Sequence, residues 1–188
     1  RPPAQGVLFA DDFTRGLARW RQDRPGVWTV THGMLRADLP DQRQLRSLLY
    51  AGSDAWTDVA LDFDVCSLRG VDKGAVVRAH GNSGIGVDLR GGTYQDVVAY
   101  VREWLIARGP AANTAGAWSH VRIEARDNRC RVFVNGALAF DHKDAHGAPA
   151  QGRIALAAYT GGVGQCTVFY DNVVVTALAP APPDSARR

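Results

Sequence analysis

Residues 119–140, SHVRIEARDNRCRVFVNGALAF, decide the fold class of this chain of 188 residues. Apolar residues alternate with charged or aromatic ones over 121–126 and again over 130–134, which is the period-two pattern of half-buried strands. Asn135-Gly136 suits a type I′ turn, because both residues tolerate positive φ. Asp127-Asn128 offers a second tight turn. The stretch therefore predicts three antiparallel strands in a meander.

Short alternating runs of the same kind, broken by Gly, Asn, Asp and Pro, occupy most of the remaining chain. Two of them flank His32-Gly33, and the longer segment 95–109 suggests two short strands with a bend. Helix signals are almost absent, apart from one short turn at 13–20. About a dozen strands with frequent turns predict an all-β fold, a sandwich of two antiparallel sheets of the jelly-roll type. We expect the terminal stretches, 8–13 and 169–175, to lie side by side.

The length suits one domain with a sizeable core, and 46% of the residues are hydrophobic. We expect an N-terminal extension at 1–6, a jelly-roll domain at 7–178 and a Pro/Ala-rich flexible tail at 179–188. No segment approaches the ~20 apolar residues of a membrane helix, so membrane insertion is not expected. We expect no signal peptide in this sequence, and we interpret its start, RPPAQG, as a mature end after processing or as an artificial boundary.

The charge composition argues against a nucleic-acid partner. The net charge is +3, and 20 of the 22 basic residues are arginines that are dispersed among acids rather than clustered. Of the 19 acidic residues, 17 are aspartates, a residue type that suits turns, hydrogen-bonding sites and calcium ligands.

The three cysteines, Cys66, Cys130 and Cys166, have no CxxC spacing, so neither a zinc site nor a redox motif is indicated. All three lie in apolar, strand-like runs. Two interpretations stay open: three small buried side chains, or one disulfide with one free thiol.

Six stretches of the chain resemble, in order, the concanavalin A-like lectin/glucanase superfamily. More narrowly, they are similar to its laminin-G-like and 3-keto-disaccharide hydrolase-like jelly rolls. The stretches are LFADDFTRGLARW, WTVTHGMLRA, GAVVRAH, GAWSHVRIEARDNRCRVFVNGALAFD, GRIALAAYTGG and FYDNVVV, and they cover residues 7–178 almost from end to end. Such a resemblance specifies a fold well and a reaction poorly.

The resemblance implies a structural calcium ion (Ca2+). In the related glucanases, an Asp of the last strand, a Gly carbonyl of an early hairpin and carbonyls of the N-terminal segment hold the ion. Asp171 matches that Asp, Gly33 matches that Gly, and Asp12 or Asp11 would be the N-terminal contributor. A hard cation suits such oxygen ligands. In the alternative interpretation, Asp171 caps its strand or forms a salt bridge with an arginine.

Polar and aromatic residues on several strands form the candidate glycan-binding face. Sugars are held by stacking on aromatic rings and by hydrogen bonds from Asp and Arg side chains, and alternation places such residues together. In the alternative interpretation, the aromatic residues belong to the core and the aspartates to a solvated or salt-bridged face. The predicted ligand-binding residues are Asp62, Asp64, Arg78, Asp88, Arg90, Tyr100, Arg102 and Trp104.

The sequence lacks the E-x-D-x-x-E motif that carries catalysis in the related glucanases. Glu103 and Glu124 are the only glutamates, and they lie in different segments. A retaining glycosidase needs two carboxyl groups about 5–5.5 Å apart, a role that aspartates would have to fill here.

Three hypotheses of function follow. The first is a secreted or surface carbohydrate-binding, lectin-like domain without its own catalysis, which binds a glycan or polysaccharide outside the cell, in the periplasm or on the cell surface. The second is a glycoside-cleaving enzyme of the 3-keto-disaccharide hydrolase type. The third is a structural or interaction subunit of a larger extracellular assembly, with protein partners. In all three, the hairpin around Asn135-Gly136 is scaffold and the function lies on the opposite sheet.

Overall fold

The computed structural model describes residues 6–179, and these residues form strands and turns without any helix. The predicted extension at 1–6 and tail at 179–188 lie almost wholly outside this range. No helix in the described part is therefore long and apolar enough to cross a bilayer. The strands are β1 (Val7–Asp11), β2 (Arg21–Gln22), β3 (Trp28–Thr31), β4 (Met34–Leu39), β5 (Arg46–Ala51), β6 (Val59–Arg69), β7 (Asp72–His80), β8 (Ser83–Arg90), β9 (Asp96–Val101), β10 (Trp104–Pro110), β11 (Trp118–Arg126), β12 (Arg129–Val134), β13 (Ala137–His142), β14 (Arg153–Tyr159) and β15 (Cys166–Ala177).

The strands form two antiparallel sheets that pack face to face, which confirms the predicted jelly-roll sandwich. Sheet A has eight strands, in the order β13-β12-β11-β6-β15-β4-β3, and β1 pairs with the far half of β15. Sheet B has seven strands, in the order β10-β9-β8-β7-β14-β5-β2. The pairing of β1 with β15 confirms that the two terminal stretches lie side by side.

The tight turns that were predicted from the sequence have the expected backbone. His32 and Gly33 have φ of 53° and 74°, and Asn135 and Gly136 have φ of 50° and 80°. Positive φ at both positions is the mark of a type I′ turn, whose twist matches that of the flanking strands. The predicted meander over 119–140 is present as β11, β12 and β13, all in sheet A.

The core lies between the sheets because each strand presents its apolar residues to one side. On β6, Leu61, Phe63 and Val65 are buried, whereas the alternating Asp62 and Asp64 lie on the outer face of sheet A. This is the period-two burial that a sandwich requires.

Tyr170 ties the two sheets together at their centre. Its ring is fully buried in sheet A, and its hydroxyl lies within hydrogen-bond distance of two carbonyl oxygens on neighbouring strands of sheet B, those of Gly74 at 2.9 Å and Ala157 at 2.6 Å. The single hydroxyl hydrogen is shared between these two acceptors. The same hydroxyl accepts a hydrogen bond from the Gly74 amide at 3.0 Å. A buried phenol needs such partners, and these partners lie directly beneath the outer face of sheet B.

The three cysteines are free and buried, in agreement with the first of the two interpretations. Burial raises the pKa of the Cys130 thiol to about 12 and that of Cys166 to about 11. Thiols in this state are poor nucleophiles, so the sequence's only thiols offer no reactive centre.

Candidate functional site

A groove of about 900 Å³ crosses the outer face of sheet B. Small residues in the middle of the sheet create its depth. Gly86 faces Val76 across the β7–β8 pair, and Ala155 and Ala157 continue the same rows on β14. Since Gly86, Ala155 and Ala157 carry little or no side chain, the centre of the sheet lies lower than its margins.

Tyrosines on strands to either side form the walls of the groove. Tyr100 on β9 lies opposite Gly86, so its ring stands next to the open floor. Tyr50 on β5 and Tyr159 on β14 line the other side. The Tyr159 hydroxyl is held by Gln44, which fixes the position of this ring. Rings placed on both sides of a depression can stack against the flat faces of a ligand.

Two aspartates lie on the floor. Asp72 on β7 is opposite Arg90, and Asp88 on β8 is opposite Gly74, so the two carboxylates are diagonal neighbours on the same face. Burial raises the pKa of Asp88 to about 7, and the charge of Asp72 adds to this shift. Burial also raises the pKa of Asp72, although the nearby Arg90 and Lys73 oppose that shift.

The arginines around the groove differ in what they contact. Arg90 forms a two-pronged ion pair with Asp96, at 2.8 and 2.7 Å, and its guanidinium stacks 4.2 Å from the Tyr94 ring centre. Arg46 and Arg102 stand at the margin, and within residues 6–179 neither forms a hydrogen bond or an ion pair through its side chain. The groove therefore has acidic groups at its floor and basic groups at its margin.

Four of the eight predicted ligand-binding residues line this groove. Asp88 and Arg90 come from β8, Tyr100 from β9, and Arg102 from the turn that follows it. The remaining four lie elsewhere.

Asp62 and Asp64 are on the other sheet. Their strand, β6, pairs with β11 and β15 in sheet A, so its polar face points away from sheet B. There the ring nitrogens of His120 bridge the two carboxylates, each at 2.8 Å. The period-two pattern correctly places Asp62 and Asp64 on one face of β6. Pairing with distant strands decides which sheet β6 joins, and the pattern does not contain that information.

Arg78 lies on β7 but does not reach the groove. A local irregularity with φ of 53° turns its side chain inward, where it is 3% exposed. Its guanidinium donates to Thr57 O at 3.1 Å, to Asp58 Oδ1 at 2.9 Å and to Asp127 O. These contacts join β7 to two loops, the one before β6 and the β11–β12 turn, so the geometry is that of a structural residue.

Trp104 is 77% exposed at the tip of the β9–β10 hairpin. The turn at Arg102-Glu103 reverses the chain, so Trp104 lies opposite Val101 rather than in line with Tyr100. Residues directly opposite each other share a face, and Val101 is a core residue. The side chain of Trp104 therefore lies on the face of the sheet away from the groove. The alternation that would place Trp104 beside Tyr100 and Arg102 does not continue through this turn.

Sequence reasoning missed several groove residues, including Asp72, Tyr159 and Arg46. One signal was available in GIGVDLR (84–90), where alternate positions are Gly, Gly, Asp and Arg. Two glycines on one face, followed by charged residues, indicate an open sheet surface rather than a core. The walls come from β5, β9 and β14, and no local pattern brings these strands together.

The residues predicted to bind calcium meet at one end of sheet A. Asp171 follows Tyr170, which pairs with Leu35 beside the His32-Gly33 turn, and Asp12 follows β1 at the same end. Asp11 is already engaged, since it accepts hydrogen bonds from the Phe13 amide and the Trp20 indole. Among residues 6–179, no three His, Cys, Asp or Glu side chains cluster as ligands of one ion.

Asp171 and Asp12 nonetheless have the chemistry of cation ligands. Burial raises the pKa of Asp171, and the negative charges of Asp64 and Asp12 add to the shift. Oδ1 of Asp171 accepts a hydrogen bond from the Asn172 amide, and Oδ1 of Asp12 accepts one from the Thr14 amide. In the described part of the chain, neither Oδ2 atom has such a donor. Oxygen donors with an excess of negative charge are what Ca²⁺ prefers.

Several solved structures share this fold. A carbohydrate-binding module, CBM66 from Bacillus subtilis, matches with a TM-score of 0.72 and 15% identity, over 86% of this chain and 98% of its own. A putative glycosyl hydrolase from Parabacteroides distasonis matches with 0.66 and 16%, over 89% and 98%. The exoplasmic/lumenal domain of VIP36, in a Ca²⁺- and mannose-bound form, matches with 0.66 and 11%, over 88% and 85%. At these identities the likeness shows the fold alone, and it confirms the resemblance to concanavalin A-like jelly rolls.

Comparison of the sequence with curated proteins gives no match. Residues 7–176, by contrast, match a family whose description is the 3-keto-alpha-glucoside-1,2-lyase-like domain. Because this match covers nearly all of the sandwich, the chain belongs to the 3-keto-alpha-glucoside-1,2-lyase-like domain family.

Proposed function

We propose that this protein binds a glycan in the groove of sheet B. The observation that carries the proposal is the combination of facing tyrosine walls with a floor of carboxylates, in a groove whose volume suits a sugar of one to a few units. The names of the structurally similar proteins, a carbohydrate-binding module and a mannose-bound lectin-like domain, support it. The groove residues in this proposal are Asp72, Asp88, Arg90, Tyr100, Arg102 and Tyr159.

A side chain placed on the groove floor tests this proposal directly. A Cβ added at Gly86 would have its nearest neighbour, Tyr100 O, at 4.0 Å, so Gly86→Leu should fold normally while filling the groove. On a glycan array, we expect parent binding to at least one glycan and its loss in the variant. Thr29→Leu, at an exposed position of sheet A, is the matched control and should bind like the parent. If Gly86→Leu retains full affinity for a glycan that the parent binds, the groove is not the site.

A second candidate function, cleavage of a glycoside, is favoured by the floor carboxylates. A carboxylic acid whose pKa is raised to about 7 by burial, with a second carboxyl group beside it, is the arrangement of an acid/base pair. In this alternative Asp88 would hold the proton and Asp72 would stay ionised. Family membership makes a 3-keto-α-glucoside the substrate to try first.

Product formation from that substrate, followed by chromatography, separates binding from catalysis. An enzyme should release sugar, and Asp88→Asn should abolish turnover without lowering the melting temperature. If the parent protein binds the substrate without converting it, the result supports binding and excludes cleavage of this substrate. If no sugar binds at all, a structural role in a larger assembly with protein partners remains.

The calcium site is a further part of the proposal. Asp171, with carbonyl oxygens of the Gly33 turn and oxygens of the Asp11-Asp12 segment, would hold one ion at the end of sheet A. Binding to the folded state alone adds about 2.7 kcal/mol of stability at a hundredfold excess over the dissociation constant. A chelator should therefore lower the melting temperature, and Asp171→Ala should remove that response. Asp54→Ala, which breaks an exposed ion pair with Arg153, is the control and should keep it. Melting of the parent that does not respond to calcium or chelator would exclude the site.

An extracellular, periplasmic or cell-surface location is proposed on the same grounds, since polysaccharides are met mainly outside the cytoplasm. The similar domain of VIP36 is described as exoplasmic/lumenal. Fractionation of cells that produce the full-length protein tests this proposal, and recovery from the cytoplasm alone would contradict it.

A further inference from the structure

The two floor carboxylates have no hydrogen-bond donor within the protein. Among residues 6–179, no side chain or backbone amide donates to either Asp72 or Asp88. Their oxygens open on the groove, since both residues line it and both are partly exposed. Carboxylates that face a groove without a protein donor are held by solvent alone, so a ligand that brings donors can reach them without breaking a contact within the protein.

Arg90 and Lys73 cannot take this role without breaking other contacts. Both prongs of Arg90 are occupied by Asp96. Lys73 is 2% exposed and lies on the inner side of β7, where its ammonium donates to Val71 O at 3.2 Å. Arg46 acts on Asp88 through its charge, and among residues 6–179 it forms no hydrogen bond to it, so no protein donor occupies the floor.

We propose that the Asp72–Asp88 pair selects uncharged sugars: adjacent hydroxyl groups of one sugar unit donate to the two carboxylates, acidic sugars are rejected, and binding drives a proton from Asp88 into solvent. This inference rests on the proposed function and adds the class of ligand. A sugar's neighbouring hydroxyls are spaced to reach two acceptors on the same sheet face, while the Tyr100 and Tyr159 rings contact its faces. A uronic acid would instead bring a further negative charge close to the two floor carboxylates, and like charges at short range repel.

Release of a proton on binding is expected because of the groups that surround Asp88. Burial, together with Asp72, raises the pKa of Asp88 to about 7, so near neutrality the carboxyl is partly protonated. Hydroxyl groups that donate to it favour the ionised form and lower that pKa, which releases the proton on binding. Affinity for an uncharged sugar should therefore rise with pH through about 7 and then level off. The charged and titratable groups that face Asp88 are Asp72 on β7, Arg90 on β8, Tyr100 on β9, Tyr159 on β14, Arg46 on β5 and, from beneath, Tyr170 on β15.

Matched sugar pairs that differ only at C6 test the inference by titration calorimetry. The probes are the methyl glycosides of glucose, galactose and mannose, each beside its uronic acid. For the parent we expect at least one uncharged member to bind about tenfold or more tightly than its acid. Heats measured at neutral pH in two buffers of different ionisation enthalpy should show proton release. Asp88→Asn should bind without proton release, with a pH-independent affinity and a weaker preference against the acid.

The control is Asp141→Asn, the same chemical change on sheet A, which should behave like the parent. Acids that bind as tightly as the uncharged members, with Gly86→Leu blocking both, would overturn the inference and leave the proposed function standing. The same holds for binding of an uncharged sugar that releases no proton. If neither member of any pair binds and the glycan array is also blank, the proposed function falls and the inference falls with it.

Discussion

Two polar surfaces of this protein use the same residue types in opposite ways. The outer face of sheet A is a closed network in which every central carboxylate has a partner. Asp62 accepts from His120 at 2.8 Å and Arg122 at 2.5 Å, and Asp64 accepts from His120 and from Asn172. In the groove of sheet B, Asp72 and Asp88 have no donor within the described residues, although arginines stand nearby.

The difference separates stability from function. A satisfied network holds its side chains in place and offers little to a ligand, because any new contact must break an old one. A carboxylate pair without protein donors keeps its acceptors free for a ligand, which can supply donors without breaking a contact within the protein. The state of pairing, more than the count of charged residues, therefore indicates which surface binds.

Arg78, which is buried and fully paired, should give the largest effect. Arg78→Met removes three hydrogen bonds and leaves Asp58 without its cation, which should cost about 3–5 kcal/mol of unfolding free energy. Denaturant unfolding followed by tryptophan fluorescence measures this loss.

Arg46→Met is the matched control for Arg78→Met. Arg46 lines the groove without an ion pair in the described part of the chain, so its replacement should change stability by less than about 0.5 kcal/mol. Equal losses in the two variants would contradict the distinction between paired and unpaired charges.

Asparagine substitutions on the two surfaces should have opposite signs. Asp62→Asn removes the negative charge that pairs with Arg122 and His120, and it should lower the free energy of unfolding by about 1–2 kcal/mol. Asp88→Asn removes a carboxylate whose pKa is raised from 3.8 to about 7 by burial, so it should stabilise at high pH. We expect a gain of about 1–3 kcal/mol at pH 8, reduced from the full linkage value because the side chain opens on the groove.

The pH dependence fixes the sign of the Asp88 effect. Because the pKa of Asp88 is higher in the folded than in the unfolded state, the contribution of Asp88 to parent stability falls as pH rises from about 4 to about 7. The advantage of Asp88→Asn should disappear below about pH 4, where both states are protonated. Thermal melts across this range check it, and a constant difference between the two proteins would show that Asp88 is not perturbed.

The fold could be predicted from the sequence because its strands and tight turns depend on patterns of neighbouring residues. Alternation gave the strands, and His32-Gly33 and Asn135-Gly136 gave the turns, each of which needs only neighbouring residues. Of the residues predicted to bind a ligand, Asp88 and Tyr100 line the groove but Asp62 does not, and their role in binding stays a prediction. Assignment of a strand to one sheet depends on pairing with distant strands, as β6 does with β15, and one sequence contains no direct record of that pairing.

His120 provides a smaller, pH-dependent test of the closed network. Burial alone would lower the pKa of His120, but hydrogen bonds to Asp64 and Asp62 outweigh it and raise the pKa. The charged form therefore adds stability that is complete below the unfolded value of about 6.5 and is lost as pH rises through the higher, folded value. His120→Gln should be destabilising at pH 5, by less than about 1 kcal/mol for this half-exposed group, and nearly neutral at pH 9.

His80→Gln, at an exposed position at the end of β7, is the control for His120→Gln. Since no carboxylate forms an ion pair with His80 in the described residues, this variant should change the unfolding free energy by less than about 0.5 kcal/mol. A His120 variant whose deficit grows with pH would mean that the two aspartates do not stabilise the imidazolium, and the description of sheet A as a closed charge network would need revision.

The smallest effect is expected at Trp104, and it defines where the groove ends. The side chain is 77% exposed, so Trp104→Ala should change the unfolding free energy by less than about 0.5 kcal/mol. Because Trp104 lies opposite Val101 rather than Tyr100, a one-unit sugar on the groove floor should bind the variant and the parent alike. A longer oligosaccharide that passes the hairpin tip can stack on this indole, and its affinity should fall by about 1 kcal/mol. Titration of one glycan at increasing chain length measures both effects. Loss of affinity already for the shortest sugar would place Trp104 inside the groove and shift the boundary of the site to the hairpin.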